Sequence, residues 1–113
     1  MAVSETLNVS FLVQKIFKQV CKAEGLPEPV AEFKFHETRK WRIDWYFEFE
    51  GKKVALEVEG GVYKYGRHNR ANGFLKDMEK YNQLAAHGIL LVRCVPKDLL
   101  KISTINLIKQ CLY

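Results

Sequence analysis

The chain has 113 residues, too few for two cored domains. Its 48% hydrophobic and 27% charged content excludes a disordered tail and fits one globular domain over 1–113. Eighteen Lys and Arg against 13 Asp and Glu give a net charge of +5. Unless it serves solubility alone, that excess favours a polyanionic partner, nucleic acid first and an anionic membrane surface second.

The first element in chain order is a helix in which Val9, Leu12, Val13, Ile16, Phe17 and Val20 recur at helical spacing, with Lys15, Lys18 and Lys22 on the other side. Asn8 is its expected cap and Gly25, before "LPEP", its expected end. "VAEFKF" (Val30 to Phe35) alternates weakly and reads as a strand. "WRIDWYFEFEGKKVALEVEGG" (Trp41 to Gly61) reads as two strands joined at "EGKK". "GGVYKYGRHNRANG" (Gly60 to Gly73) reads as a Gly- and Asn-rich basic loop. A second helix follows in "FLKDMEKYNQLAAHG", with Phe74, Met78, Tyr81 and Ala85 expected inward and Gly88 ending it. "ILLVRCV" is a nearly continuous apolar run, as in a strand buried on both faces. Pro96 opens a last helix, with Leu99, Leu100, Ile102, Ile105, Leu107 and Ile108 as its apolar side. The fold class is therefore α/β, with order α-β-β-β-α-β-α. The third strand, helix and fourth strand are long enough for a right-handed parallel crossover, giving a mixed sheet with helices on both faces.

Cys21, Cys94 and Cys111 are odd in number and lack a CxxC pair. They fit reduced thiols in a cytoplasmic, intracellular protein better than disulfides or a zinc knuckle. No signal-peptide pattern opens the chain, and nothing approaches the roughly 18 apolar residues of a membrane span, so no membrane partner is expected.

The hairpin carries the chemistry. Ile43, Trp45, Phe47 and Phe49 should share one face with Val54, Leu56 and Val58, leaving Asp44, Glu57 and Glu59 on the other. Glu57 and Glu59 would stand about 6.8 Å apart. With Gly51 and Lys52 as the turn, Asp44 lies opposite Glu59; a two-residue slip puts it opposite Glu57. A one-residue slip would split the apolar rows between faces, and the burial pattern rejects it. Both surviving registers gather three like charges, which destabilises a sheet unless a hard cation such as Mg²⁺ relieves the repulsion. Such an ion can polarise a phosphoryl oxygen and activate water. The bland alternative is a solvated hairpin face balanced by Lys53 and Arg42.

An acid on one strand, a turn, then paired acids near the end of the next strand resembles the PD-(D/E)XK nucleases. "RIDWYF…VALEVEGG…GRH" is more closely similar to their small phage-type and very-short-patch-repair-like members. The resemblance covers Phe33 to Val95. It implies a restriction-endonuclease-like αβββαβ core and a Mg²⁺-dependent DNA endonuclease, with Mn²⁺ able to substitute and phage or prophage origin plausible. Asp44 takes the metal-bridging position, Glu57 the second acid, and Glu59 stands where Lys is usual. The missing positive charge is then sought in Lys80 on the second helix, with Lys76 as an alternative. His68 is the candidate proton-transfer group, with a phosphate-contacting loop histidine as the bland alternative. Asp44, Glu57, Glu59, Lys80 and His68 form the expected catalytic set, the three acids binding metal.

Lys64, Arg67, His68 and Arg70, with Tyr63 and Tyr65 for stacking, read as a nucleic-acid loop, and Arg39 and Lys40 beside Trp41 as a second basic group. His36 and His87 read as structural. Branched, nicked and mismatched DNA remain open as substrates. A domain this small does not easily reach both strands with one site, so a homodimer would be natural for double-strand cuts or junction resolution. The rivals are a nucleic-acid-binding module of the same fold without catalysis, a ββα-metal nuclease around "RHN", and a protein-interaction domain.

Overall fold

The computed structural model describes the backbone of residues 2–60 and 70–113 and the side chains of 10–60 and 73–113. Its elements are α1 (Ala2–Ala23), β1 (Val30–Lys34), β2 (Arg42–Phe49), β3 (Lys52–Val58), α2 (Arg70–Ala86), β4 (Ile89–Cys94), a 3₁₀ turn (Pro96–Asp98) and α3 (Ile102–Leu112). The four strands form one mixed sheet in the order β1-β2-β3-β4. β2 is antiparallel to both β1 and β3, whereas β3 and β4 run parallel. Among the described residues no helix is long and apolar enough to cross a membrane.

Two apolar clusters sandwich the sheet. On one face Phe17 and Cys21 of α1 meet Trp45, Phe47, Val54, Leu56 and Val92, and Ile105, Ile108 and Leu112 of α3 close over them. On the other, Leu84 of α2 covers Ile43, Tyr46, Ala55 and Ile89. Phe17 sits 4.7 Å from the Trp45 ring and 6.3 Å from the Phe47 ring. Burial pushes the Cys21 thiol up to about 12, so it behaves as a small core hydrophobe.

The turn chemistry fixes the ribbon's register. Glu50 (φ 49) and Gly51 (φ 82) both lie in the left-handed region, the signature of a two-residue type I′ turn whose twist matches the strands. Phe49↔Lys52 and Glu48↔Lys53 then pair, so the hairpin takes the slipped register, not the one turning at Gly51 and Lys52. Gly25 (φ 80) ends α1 in the same backbone region. The Leu26 N–H reaches the Cys21 carbonyl at 2.9 Å, and the Gly25 N–H reaches that of Lys22 at 3.2 Å, which satisfies carbonyls the helix end would otherwise orphan.

Several sequence expectations are corrected. α1 begins at Ala2, so Asn8 lies inside the helix, and Leu12, Val13 and Ile16 are exposed. α2 opens at Arg70, taking four residues expected in the loop. Its inward stripe runs through Asp77, Lys80, Tyr81 and Leu84, while Phe74, Met78 and Ala85 face solvent. β4 is an edge strand with Leu90 exposed, not a strand buried on both faces. Pro96 starts the 3₁₀ turn and not α3, and Leu100, Ile102 and Leu107 are exposed.

Candidate active site

At the end of the ribbon away from the turn, strand alternation breaks. Ala31 and Trp45 pack in the α1–α3 cluster, yet Phe33 and Ile43, two residues along each strand, pack in the α2 cluster. The facing pair between them, Glu32 and Asp44, is missing from the ladder. Glu32 holds φ 54, a left-handed backbone that disfavours any residue with a Cβ. This break turns Asp44 away from the regular pleat and separates Ile43 from the row that Trp45 and Phe47 share.

Asp44 therefore points along the sheet. Its Oδ2 accepts the Val58 N–H at 2.7 Å, replacing the strand-to-strand bond that would come after Trp45↔Leu56. It also borders a cavity of about 360 Å³ on the α1 side, shared with Gln14, Glu32 and Val58. Glu57 and Glu59 project toward α2 instead. Glu57 is buried, and Lys80 Nζ donates to its Oε1 at 3.1 Å. Glu59 Oε1 accepts from the Tyr81 hydroxyl at 3.0 Å and from Arg93 Nε at 3.1 Å, with the Arg93 guanidinium 4.9 Å from the Tyr81 ring centre.

The electrostatics bind these groups into one unit. Burial pushes the Glu57 carboxyl above its usual range; the Lys80 ammonium opposes this, while the Asp44 and Glu59 charges add to it. A lysine supplied by α2 thus offsets a cost that the neighbouring acids Asp44 and Glu59 increase. Burial together with the Glu59 carboxylate raises the Tyr81 phenol, which stays a hydrogen-bond donor. Cys94 is raised by its burial and by Asp98, Asp44 and Glu59.

Asp44, Glu57, Glu59 and Lys80 are thus brought to one end of the central strand pair, but the expectation that the three acids share one face is overturned. The break at Glu32 turns Asp44 to the α1-side cavity and Ile43 to the α2 face, where Glu57 and Glu59 lie. Lys76 is exposed on α2. Lys64, Arg67 and His68, and the side chain of Arg70, lie outside the described residues. Arg39 stacks on Trp41 at 4.0 Å and pairs with Glu79, and Lys40 is exposed. Sequence reading passed over Glu32, Tyr81 as a polar contact, and Arg93. Apolar parity gave no signal of the break: an extended Glu32 would have put Ala31 and Phe33 on one face, whereas the left-handed Glu32 sends them to opposite cores.

Among the described residues, one trio of His, Cys, Asp or Glu places a possible ligand atom from each within 4.8 Å: His36, Glu37 and His87. Its hydrogen bonds describe a clasp. His36 Nδ1 accepts the Thr38 and Arg39 N–H groups at 3.2 and 3.0 Å, which leaves its Nε2–H to donate to Gln83 Oε1 at 3.2 Å. His87 Nδ1 donates to the Gln83 carbonyl at 2.7 Å while Nε2 meets Glu37 Oε1 at 3.0 Å, which requires an imidazolium. The Gln83 carbonyl and Glu37 raise His87, and Glu37 is lowered by a backbone hydrogen bond and by His87. With the His36 Nδ1 lone pair already engaged, the set suits a proton-dependent fastener better than a metal. A nitrogen-rich donor set is also wrong for Mg²⁺. No family model matches this chain, and neither a curated protein nor a solved structure matches it.

Proposed function

We propose that this chain is a Mg²⁺-dependent DNA endonuclease of the PD-(D/E)XK type. The observation that carries this reading is the buried Glu57–Lys80 pair beside Asp44. A buried ion pair is commonly neutral or costly for folding compared with apolar residues of equal size. A carboxylate raised by burial and by acid neighbours is also a mark of sites kept for chemistry.

The donor set fits a hard cation. Asp44, Glu57 and Glu59 offer only oxygen, and the site disfavours the Glu57 charge unless a cation stands near it. The three acids are not drawn into a closed cage, but Mg²⁺ keeps several waters and needs only one or two carboxylates. Asp44 and Glu57 would hold it, with Glu59 as a further carboxylate. The ion supplies polarisation of a phosphoryl oxygen and a lowered pKa for water. Lys80 favours the ionised form of Glu57 against its burial and would bring positive charge to where negative charge builds on phosphorus. Tyr81 and Arg93 fix Glu59, limiting its drift as substrate arrives. His68 remains the candidate for proton transfer.

The test is incubation of plasmid and branched DNA with Mg²⁺ or Mn²⁺. The parent chain should nick or cut, whereas Asp44→Asn and Glu57→Gln should not; cleavage by both variants at the parent rate would refute the assignment. One observation favours a second reading, a binding module without catalysis: Glu59 stands where Lys is usual and is fastened by Tyr81 and Arg93. DNA binding with no cleavage under either metal would select it.

A further inference from the structure

The lysines of α1 have no part in the site described above. Lys15, Lys18 and Lys22 are exposed on the helix, and none forms an ion pair among the described residues. They lie at intervals of three and four residues, so they line up along one side. Three adjoining depressions follow that side. The first contains Asp44, Glu32 and Gln14, the second Gln14, Phe11, Lys15 and Lys18, and the third Lys15, Lys18, Gln19 and Lys22 together with Glu28. Each shares lining residues with the next, Gln14 between the first two and Lys15 and Lys18 between the last two, so the depressions adjoin in series from Asp44 to Lys22.

We infer that this track carries the phosphodiester backbone of the nucleic-acid substrate toward Asp44, an inference that rests on the proposed nuclease reading for its direction. From Lys15 to Lys22 the helix rises about 10.5 Å, over which one strand of B-DNA presents about three phosphates, one for each lysine. Phe11, 64% exposed in the same depression as Lys15 and Lys18, offers a ring face to an unstacked base. The track also answers an electrostatic need. A cluster of acids repels an incoming phosphate, and fixed cations beside it hold the strand until a metal ion neutralises that charge. Lys15, Lys18 and Lys22 contact no base edge in this arrangement, so their contribution is independent of sequence.

The test uses the full chain carrying Glu57→Gln, so that binding can be read without cutting. Fluorescence anisotropy against a labelled duplex and a single strand of the same sequence gives the slope of log affinity against log salt. Adding Lys15→Gln, Lys18→Gln and Lys22→Gln should weaken duplex binding at least about tenfold and reduce the slope by about 2.7, close to 0.9 for each lost phosphate contact. Lys52→Gln, at the turn end of the ribbon, should leave both unchanged. An unchanged slope in the triple variant overturns the track, as does equal loss from Lys52→Gln. If the triple variant instead loses adsorption to phosphatidylserine vesicles while its DNA slope stays fixed, the helix is a membrane-surface element and the proposal fails. Cleavage by the Glu57→Gln chain at the parent rate would refute the active-site reading and leave the track standing, so the two failures are separable.

Discussion

The two ends of the β2–β3 ribbon each hold a glutamate in the left-handed region, Glu50 at φ 49 and Glu32 at φ 54 on the adjoining strand, but they behave differently. At the turn end local rules agree. Glu50 and Gly51 make the favoured hairpin turn, Glu48 faces Lys53, and Phe49 packs edge-on against Tyr113 at 5.0 Å. At the open end the rules conflict. Alternation fails, an acid is buried, a lysine faces the sheet, and Asp44 takes a backbone partner in place of a strand. Conflicts between local preference and the fold gather where a protein retains chemistry at the expense of stability. Glu50 is explained by its turn; Glu32 is explained only by where it places Asp44.

The largest expected contrast is in activity. Asp44→Asn keeps an acceptor for the Val58 N–H but removes the charge. It should lower Mg²⁺-dependent cleavage by at least about a hundredfold, on the scale of losing one group that stabilises transition-state charge. Glu50→Gln at the other end should cut at the parent rate. Equal rates for the two variants would erase the distinction between the ends.

Stability should move by the next largest amount. Lys80→Met leaves Glu57 buried without its cation and should cost about 3 kcal/mol in urea denaturation. Combining it with Glu57→Leu should recover most of that loss, or exceed the parent, while abolishing cleavage. A double variant as unstable as Lys80→Met alone would show that the pair serves the fold and not the reaction.

Relieving left-handed backbone should have a smaller effect. Glu50→Asn, which creates the preferred Asn-Gly turn, and Glu32→Gly should each raise stability by about 0.5–1 kcal/mol. Thermal melts would check both. A loss of stability in Glu32→Gly would mean its contacts outweigh its backbone strain.

The smallest effect is expected at the half-buried His36–His87 pair and the exposed Glu37 that clasps it. His87 is raised, so its contribution is fully present below the ordinary histidine value and is lost as pH rises through the folded value. Glu37 is lowered, so its contribution is present above the ordinary carboxylate value and is lost as pH falls through the folded one. His87→Gln should therefore flatten the alkaline decline of the unfolding midpoint and leave activity at neutral pH unchanged. A midpoint profile identical to the parent's would show that the clasp contributes nothing.

Much of the architecture was legible because periodicity is local. The hairpin, both glycine-ended helices and a β3–α2–β4 crossover with parallel strands follow from spacing and turn residues. The register stayed divided between two choices because Glu-Gly is a weaker turn signal than Asn-Gly, and only the twist of the finished ribbon separates them. Helix faces were misjudged for a physical reason. In α2 the inward positions belong to Asp77, Lys80 and Tyr81, and a polar site inverts the amphipathic pattern on which such readings rest. His36 and His87 were expected to be structural, but no spacing rule could bring them together with Glu37 across 50 positions.

By itself the sequence determined that Asp44 of β2, Glu57 of β3 and Glu59 just past β3 would reach the same end of a central strand pair, because alternation and a short turn leave few registers. Only the tertiary structure decided which way each acid points. Asp44 is set by the break opposite Glu32, Glu57 by Lys80, and Glu59 by Tyr81 and Arg93. Side-chain direction at such a place depends on partners from distant segments and on the cost of burying charge, and neither is encoded in the spacing of neighbours along the chain.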